Sequence, residues 1–180
     1  MRRLRYGVAM SLDGFIAGSK GEYDWIVPDP TIDFAEMFAE FDTLLMGRGT
    51  YEVASGAGKS WDSFGQRWVV VSTTLKPEEH PKVTILSSGV LEAVAAMKAR
   101  PGPPPQKDIW LFGGGVLFRS LLDAGLVDTV EVAVMPVMLG SGIPLLPEGR
   151  RRSLHLEESK TLASGILRLK YSVVPEEAKG

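Results

Sequence analysis

The sequence predicts an α/β fold: a mostly parallel sheet covered by helices and finished by antiparallel strands. Three observations predict it. Short apolar runs with little polar alternation recur along the chain, as expected of strands buried on both faces. Helical patterns lie between these runs, so strand and helix alternate as in right-handed βαβ units. The C-terminal third changes to longer strand patterns, one of them strictly alternating, which suits antiparallel pairing.

Residues 4–10 read as a buried strand running into SLDGFIAG, where Asp13-Gly14 and Gly18 mark turns, so a mobile glycine-bearing loop is expected there. Past Trp25 and the corner Pro28-Asp29-Pro30, the residues Phe34, Met37, Phe38 and Phe41 recur at helical spacing, and Thr31 or Asp33 can cap that helix. The runs DTLLMG (42–47), RWVVVST (67–73), KVTILSS (82–88) and DIWLFGG (108–114) supply the sheet interior, and helical patterns fall at 50–53, 91–99 and 116–124. LVDTVEVAVMPVML (126–139) is a long strand-like run. In ILRLKYSVV (166–174), Leu167, Leu169, Tyr171 and Val173 alternate with Arg168, Lys170 and Ser172. PGPPPQK (101–107) reads as a stiff connector within one domain spanning 1–180, and no internal repeat is present.

A chain of 180 residues is long enough to bury a core without disulfides or a structural metal. The net charge of −2 leaves no basic excess to attract phosphate backbones, so nucleic acid is not an expected partner. The absence of cysteine removes thiolate nucleophiles, zinc–cysteine sites and disulfides together, and a cytoplasmic address is expected. Asp13 interrupts the N-terminal apolar stretch too early for a signal-peptide core, and no apolar run approaches membrane-spanning length. Neither His80 nor His155 has a second histidine at ligand spacing, so no metal is expected.

The strongest chemical signal is IWLFGGGVLFRSLL, a strand ending in Gly113-Gly114-Gly115 and opening directly into an amphipathic helix. Such a junction presents free backbone N–H groups and the positive end of a helix dipole, while absent side chains let a pyrophosphate approach. The same run also reads as a plain strand-to-helix turn. It is not a Rossmann fingerprint, because Phe118 stands where the third glycine belongs. GAGKS (56–60) is not a P-loop, because Val53 stands where the first glycine belongs, and Lys59 reads as a surface lysine. In LLMGRGTYE a strand ends at Gly47, Arg48 emerges at its carboxyl edge, and Thr50 can cap the next helix. In VVVSTTL the hydroxyls of Ser72, Thr73 and Thr74 follow a strand end. Ligands of open α/β sheets bind at such carboxyl ends, and an arginine there suits a phosphate monoester.

These segments in this order, preceded by AMSLDGFIAG, resemble the dihydrofolate reductase superfamily over nearly the whole chain. The resemblance implies a three-layer αβα sandwich of the dihydrofolate reductase type and NADPH as cofactor. It implies that Ala9, Ile16 and Ala17 flank the nicotinamide, that Gly47, Arg48 and Thr50 hold phosphates, and that Ser72, Thr73 and Thr74 line the adenosine side. Gly113, Gly114, Gly115, Val116, Leu117 and Phe118 would form the pyrophosphate cradle. The tail VDTVEVAVMPVMLGSGIPLLP is similar to the reductase domain of the bifunctional riboflavin-biosynthesis deaminase/reductase. The activity implied is that of a 5-amino-6-(5-phosphoribosylamino)uracil reductase. No deaminase half is present, because its zinc site needs cysteines.

Departures from the pattern leave choices open. Dihydrofolate reductases place a carboxylate shortly after a Trp-x-x-Pro segment. Trp25-Ile26-Val27-Pro28 matches that segment, but Pro30 falls at the carboxylate position, with Asp29 one residue early and Asp33 about one helical turn late. Asp33 is therefore either the proton donor or a helix cap. The acceptor pocket is expected to be walled by Leu12, Asp13, Trp25, Asp33, Tyr51, Gly142 and Ile143, with Arg150-Arg151-Arg152 as a solvated turn or a substrate-phosphate contact. The alternatives are a true dihydrofolate reductase and a non-catalytic NADPH-binding protein. A homodimer is expected through 127–139 and 166–174, which look too apolar for a freely solvated sheet edge.

Overall fold

The computed structural model describes residues 1–56, 65–101 and 106–175. Lys59, Trp61 and most of the proline-rich connector lie outside the described residues. The described elements are β1 (Leu4–Ser11), β2 (Phe15–Ala17), α1 (Phe34–Ala39), β3 (Phe41–Gly47), α2 (Arg48–Gly56), β4 (Arg67–Val71) and β5 (Thr84–Leu86), then α3 (Val90–Ala99), β6 (Asp108–Leu111), α4 (Gly115–Asp123), β7 (Thr129–Met135), β8 (Ile143–Pro144), β9 (Leu154–Thr161) and β10 (Leu167–Val173). Eight strands form one sheet in the order β5-β4-β3-β6-β1-β7-β10-β9. The first six lie parallel, β10 is antiparallel to β7, and β9 is antiparallel to β10.

Helices cover both faces, because the interior strands are apolar on both. Leu4, Tyr6, Leu45, Val69, Ile109, Leu111, Val130 and Val132 pack with Val94 of α3 and Phe118, Leu121 and Leu122 of α4. On the opposite face, Leu44, Met46, Trp68, Val70 and Trp110 pack with Phe38 of α1 and Ala54 of α2. A fully buried leucine such as Leu45 or Leu111 contributes enough that truncation to alanine costs about 2–5 kcal/mol.

Parallel strands and their crossover helices put all β1, β3, β4, β6 and β7 carboxyl ends on one edge. The opposite, amino edge is fastened by ion pairs. Arg2 pairs with Asp42, and Arg5 pairs with Glu40 and Glu131 while its guanidinium lies 4.6 Å above the Phe41 ring. Lys98 Nζ reaches Asp128 at 2.6 Å, and the same Asp128 oxygen accepts the Leu4 amide at 2.6 Å. Burial alone would raise the Glu131 carboxyl, but its hydrogen bonds and charge contact with Arg5 hold it below the ordinary carboxylate value.

Four expectations are corrected. Phe41 opens β3 rather than ending the helix. The 126–139 run contributes β7, which lies parallel between β1 and β10 and is not an edge. The true edge is β9, an eight-residue strand exposed throughout, whose polar sequence LHLEESKT gave no strand expectation. The loop after β1 is not free: β2 pairs with β8, the Leu145 amide donates to the Gly14 carbonyl at 2.9 Å, and Leu12 donates to Val137 at 2.8 Å.

Candidate functional site

Three strand ends converge at the carboxyl edge. After β6 the chain turns through Gly113 (φ +127°) and Gly114 (φ +93°), a conformation that L side chains avoid. No side chain caps α4, whose N-cap is Gly114, so its first amides are left for a ligand. A Cβ on Gly113 would lie 3.4 Å from Thr50, and one on Gly114 3.8 Å from the Thr50 hydroxyl and 3.9 Å from the Gly47 nitrogen. The glycine turn therefore faces Gly47 and the first turn of α2. Gly115 must also lack a side chain, since a Cβ there would meet the Pro144 carbonyl oxygen at 2.8 Å.

One strand further out, Arg48, Val71, Ser72, Thr73 and Thr74 line a cavity of about 330 Å³. Arg48 is half exposed, donates to the Thr74 hydroxyl at 3.3 Å and lies 3.7 Å from Glu52, so its guanidinium is held loosely at the cavity wall. Thr73 and Thr74 are exposed. Ser72 is buried, and its Oγ accepts the Thr74 and Leu75 amides at 3.2 and 3.0 Å, which shapes the turn.

Several residues of the expected cofactor site make contacts within the fold. Thr50 is the third residue of α2, not its cap, because the helix already begins at Arg48. Phe118 is stacked on Tyr6 with ring centroids 3.7 Å apart, and its amide donates to the Gly114 carbonyl, so both groups have partners within the fold. Leu117 packs on the same core, whereas Val116 is 74% exposed at the start of α4.

On the other side of the edge, Ala9 is half-buried with Trp25 and Ile32 around Met135, Leu162 and Ile166. Ile16 and Ala17 sit in β2, and Ile143 in β8 is exposed beside them. Gly142 is required because a side chain there would collide with the Ala17 carbonyl oxygen. Asp13 is engaged within the fold. Its carboxylate accepts the Ser11 hydroxyl at 2.6 Å and the Gly140 and Leu139 amides at 2.7 and 3.1 Å, which lowers it to about 2. Tyr51 is turned edge-on to Trp68, and its hydroxyl is bonded to His80 Nδ1 at 2.9 Å.

The two acid candidates separate. Asp33 caps α1, accepting the Glu36 amide at 3.0 Å. Asp29 is buried, accepts the Ser164 hydroxyl at 2.5 Å and the Thr31 hydroxyl and amide at 2.5 and 2.8 Å, and is lowered to about 2. A carboxyl ionised so far below neutrality holds no proton to donate. Sequence reasoning missed this latch between the segment before α1 and the β9–β10 turn; the Asp29-x-Thr31 spacing is its local signal. Arg150, Arg151 and Arg152 lie with Arg119 around a separate cavity of about 350 Å³ between α4 and the start of β9. That cavity lies along the flank of α4 and shares Phe118, Leu145 and Pro147 with the surroundings of the glycine turn. Among the described residues no helix is long and apolar enough to cross a membrane, and no three metal-binding side chains gather.

A model of the RibD C-terminal domain matches residues 2–168. The Bacillus subtilis (strain 168) protein YyaP is 32% identical over 181 residues, 94% of each chain. Among solved structures, a Shewanella sp. PV-4 protein designated a riboflavin biosynthesis protein is 25% identical. It superposes with a TM-score of 0.82 over 96% of this chain and 99% of that one. The dihydrofolate reductase of Enterococcus faecalis, complexed with NADP(H), shares the fold at a TM-score of 0.66 and 18% identity, covering 95% of this chain and 96% of its own. The chain belongs to the RibD C-terminal domain family and has the fold of the dihydrofolate reductases.

Proposed function

We propose that this protein is an NADPH-dependent reductase that delivers hydride to a small planar heterocycle, pterin-like or ribosylaminopyrimidine-like. The family's reference acceptor is 5-amino-6-(5-phosphoribosylamino)uracil. The observation that carries the reading is the uncapped α4 terminus behind Gly113 and Gly114, facing Gly47 and Thr50, with the Arg48 cavity one strand away. The residues present fit the nucleotide. The amides of Gly115 to Leu117 would take the pyrophosphate, and Arg48 with Thr73 and Thr74 would take the 2′-phosphate.

When bound, NADPH supplies the hydride, and the chain's task is alignment and shielding. The β2–β8 ladder and the Asp13 bonds to Leu139 and Gly140 hold the loop after β1 against the 139–145 segment, so that wall is preorganised. No acid is offered by Asp29 or by the capping Asp33, so the accompanying proton comes from solvent. This departs from the dihydrofolate reductase pattern. The exposure of Leu12, Phe34 and Met138 supports catalysis over a merely structural nucleotide site, since apolar groups on that side are left uncovered. The cysteine-free composition supports a cytoplasmic address.

The test is titration with NADPH and NADH, followed by tryptophan fluorescence, together with absorbance of NADPH consumed in the presence of the reference acceptor. Saturable binding with NADPH preferred is expected; equal affinity for the two nucleotides contradicts the Arg48 assignment. We also propose a homodimer paired through the outer edge of β9, the last strand of the sheet, where Leu154 and Leu156 are 43% and 47% exposed. Light scattering should give twice the chain mass, and a monomer that persists on concentration refutes it.

A further inference from the structure

The cavity of about 350 Å³ along the flank of α4 has two kinds of wall. One is apolar: Phe118 and Leu122 of α4 and Val130 of β7 are buried, and Leu145, Leu146 and Pro147 are half-buried. The other is cationic, because Arg119, Arg150, Arg151 and Arg152 all line the same space, against one lining carboxylate, Glu148.

Arg119 is the fixed member of the four. It is only 8% exposed, and it holds Asp123 through Nε at 2.9 Å and through Nη2, which also donates to the Arg150 carbonyl at 2.8 Å. Its Nη1 makes no hydrogen bond among the described residues. Gly149 seats the turn on this guanidinium, since a Cβ there would meet the guanidinium carbon at 2.8 Å. Asp123 is shared: the Arg119 hydrogen bond and the charges of Arg119, Arg152 and Arg150 hold its carboxyl below the ordinary carboxylate value. Four guanidiniums therefore meet two carboxylates, an excess of two positive charges in a chain whose net charge is −2.

A dianion offsets that excess. A phosphate monoester carries close to two negative charges at neutral pH and accepts the arginine fork bidentately, and an apolar body joined to it would cover the leucine and valine wall. The charged end lies by the last turn of α4, where Arg152 Nη2 donates to the Asp123 carbonyl at 2.9 Å. Val130 and Leu154 stand at the amino-edge ends of β7 and β9. The wall at Leu145 and Pro147 is common to this cavity and the glycine turn, because a Cβ on Gly115 would meet the Leu145 carbonyl oxygen and Pro147 Cδ, each at 3.2 Å.

We infer that this cavity is a second ligand site, which takes a phosphate monoester with an apolar body and holds the phosphate on Arg119 and the Arg150 to Arg152 turn. The inference goes beyond the reductase reading and does not depend on it.

The experiment is calorimetric titration of the full chain with phenyl phosphate, inorganic phosphate and benzoate, each with and without saturating NADP⁺. One phenyl phosphate per chain is expected, retained in the presence of NADP⁺. It should bind at least about tenfold tighter than inorganic phosphate, which lacks the body, or benzoate, which lacks the second charge. Arg150→Ala combined with Arg151→Ala, both at exposed positions, should keep the melting temperature and weaken phenyl phosphate at least about tenfold. Arg48→Ala should leave it unchanged. Absence of saturable binding, or equal or tighter binding of inorganic phosphate or benzoate, overturns the inference. So does phenyl phosphate binding that survives the double variant, or that NADP⁺ or Arg48→Ala abolishes, since the ester then sits in the nucleotide site or elsewhere.

Discussion

At the amino edge of the sheet, Arg2, Arg5 and Lys98 are each buried and each faces a carboxylate. At the carboxyl edge, the strand ends carry glycines, hydroxyls and the half-exposed Arg48. Both edges are polar, but one is complete in itself and the other leaves donors unanswered. Buried charges need partners within the fold, because an uncompensated ion in the interior is costly. Free helix amides and an arginine at a cavity wall gain theirs from a ligand. Substitutions at the first edge should therefore move stability and spare binding, and those at the second should do the reverse.

The largest effect is expected at the amino edge. Asp128→Ala leaves Lys98 and the Leu4 amide without that carboxylate, which should cost about 3–5 kcal/mol by thermal or denaturant unfolding. NADPH affinity of the folded fraction should be unchanged. Arg48→Ala should cost about 1.5–3 kcal/mol of NADPH binding, the range for a lost charged hydrogen bond, with NADH affinity and melting temperature unmoved.

Gly47→Val should weaken NADPH by about 1–3 kcal/mol, as overpacking does. It should leave the fold alone, because a Cβ at Gly47 meets nothing within 4 Å. Gly114→Val is the contrasting case. At φ +93° the valine is strained before any ligand arrives, so binding and melting temperature should fall together. If Gly47→Val bound NADPH normally, the phosphate would not lie at this turn.

The smallest effect is expected at Asp33. Asparagine caps helices as well as aspartate, so Asp33→Asn should change neither turnover nor melting temperature appreciably, and Asp33→Ala should lose about 1 kcal/mol of stability. Turnover lost in the asparagine variant at unchanged stability would restore Asp33 as the proton donor.

The elements with strong apolar patterns are legible in the sequence. The runs at 42–47, 67–73 and 108–114 hold β3, β4 and β6, and the glycine run opens α4 as its pattern implies. What could not be read was whatever depends on partners distant in the chain. β9 is polar over most of its length, with only Leu154 and Leu156 apolar, and its strand form depends on the ladder that β10 offers. The loop after β1 has a loop's composition yet is tied down by β8, more than a hundred residues away in sequence. Within the candidate site, Arg48, Thr73 and the glycines were legible from their position after strands. Ser72, Tyr51 and Asp13 carry the right chemistry but are engaged by Leu75, His80 and Gly140, contacts that no local pattern announces.

The most direct test of the two-edge account is a crystal structure of the protein grown with NADPH. The account predicts the pyrophosphate against the amides of Gly115 to Leu117 beside Gly47, the 2′-phosphate on Arg48, and the nicotinamide toward Ala9. A nucleotide bound instead in the Arg119 and Arg150 cavity on the flank of α4, or phosphates making no contact with the glycine turn, would contradict it.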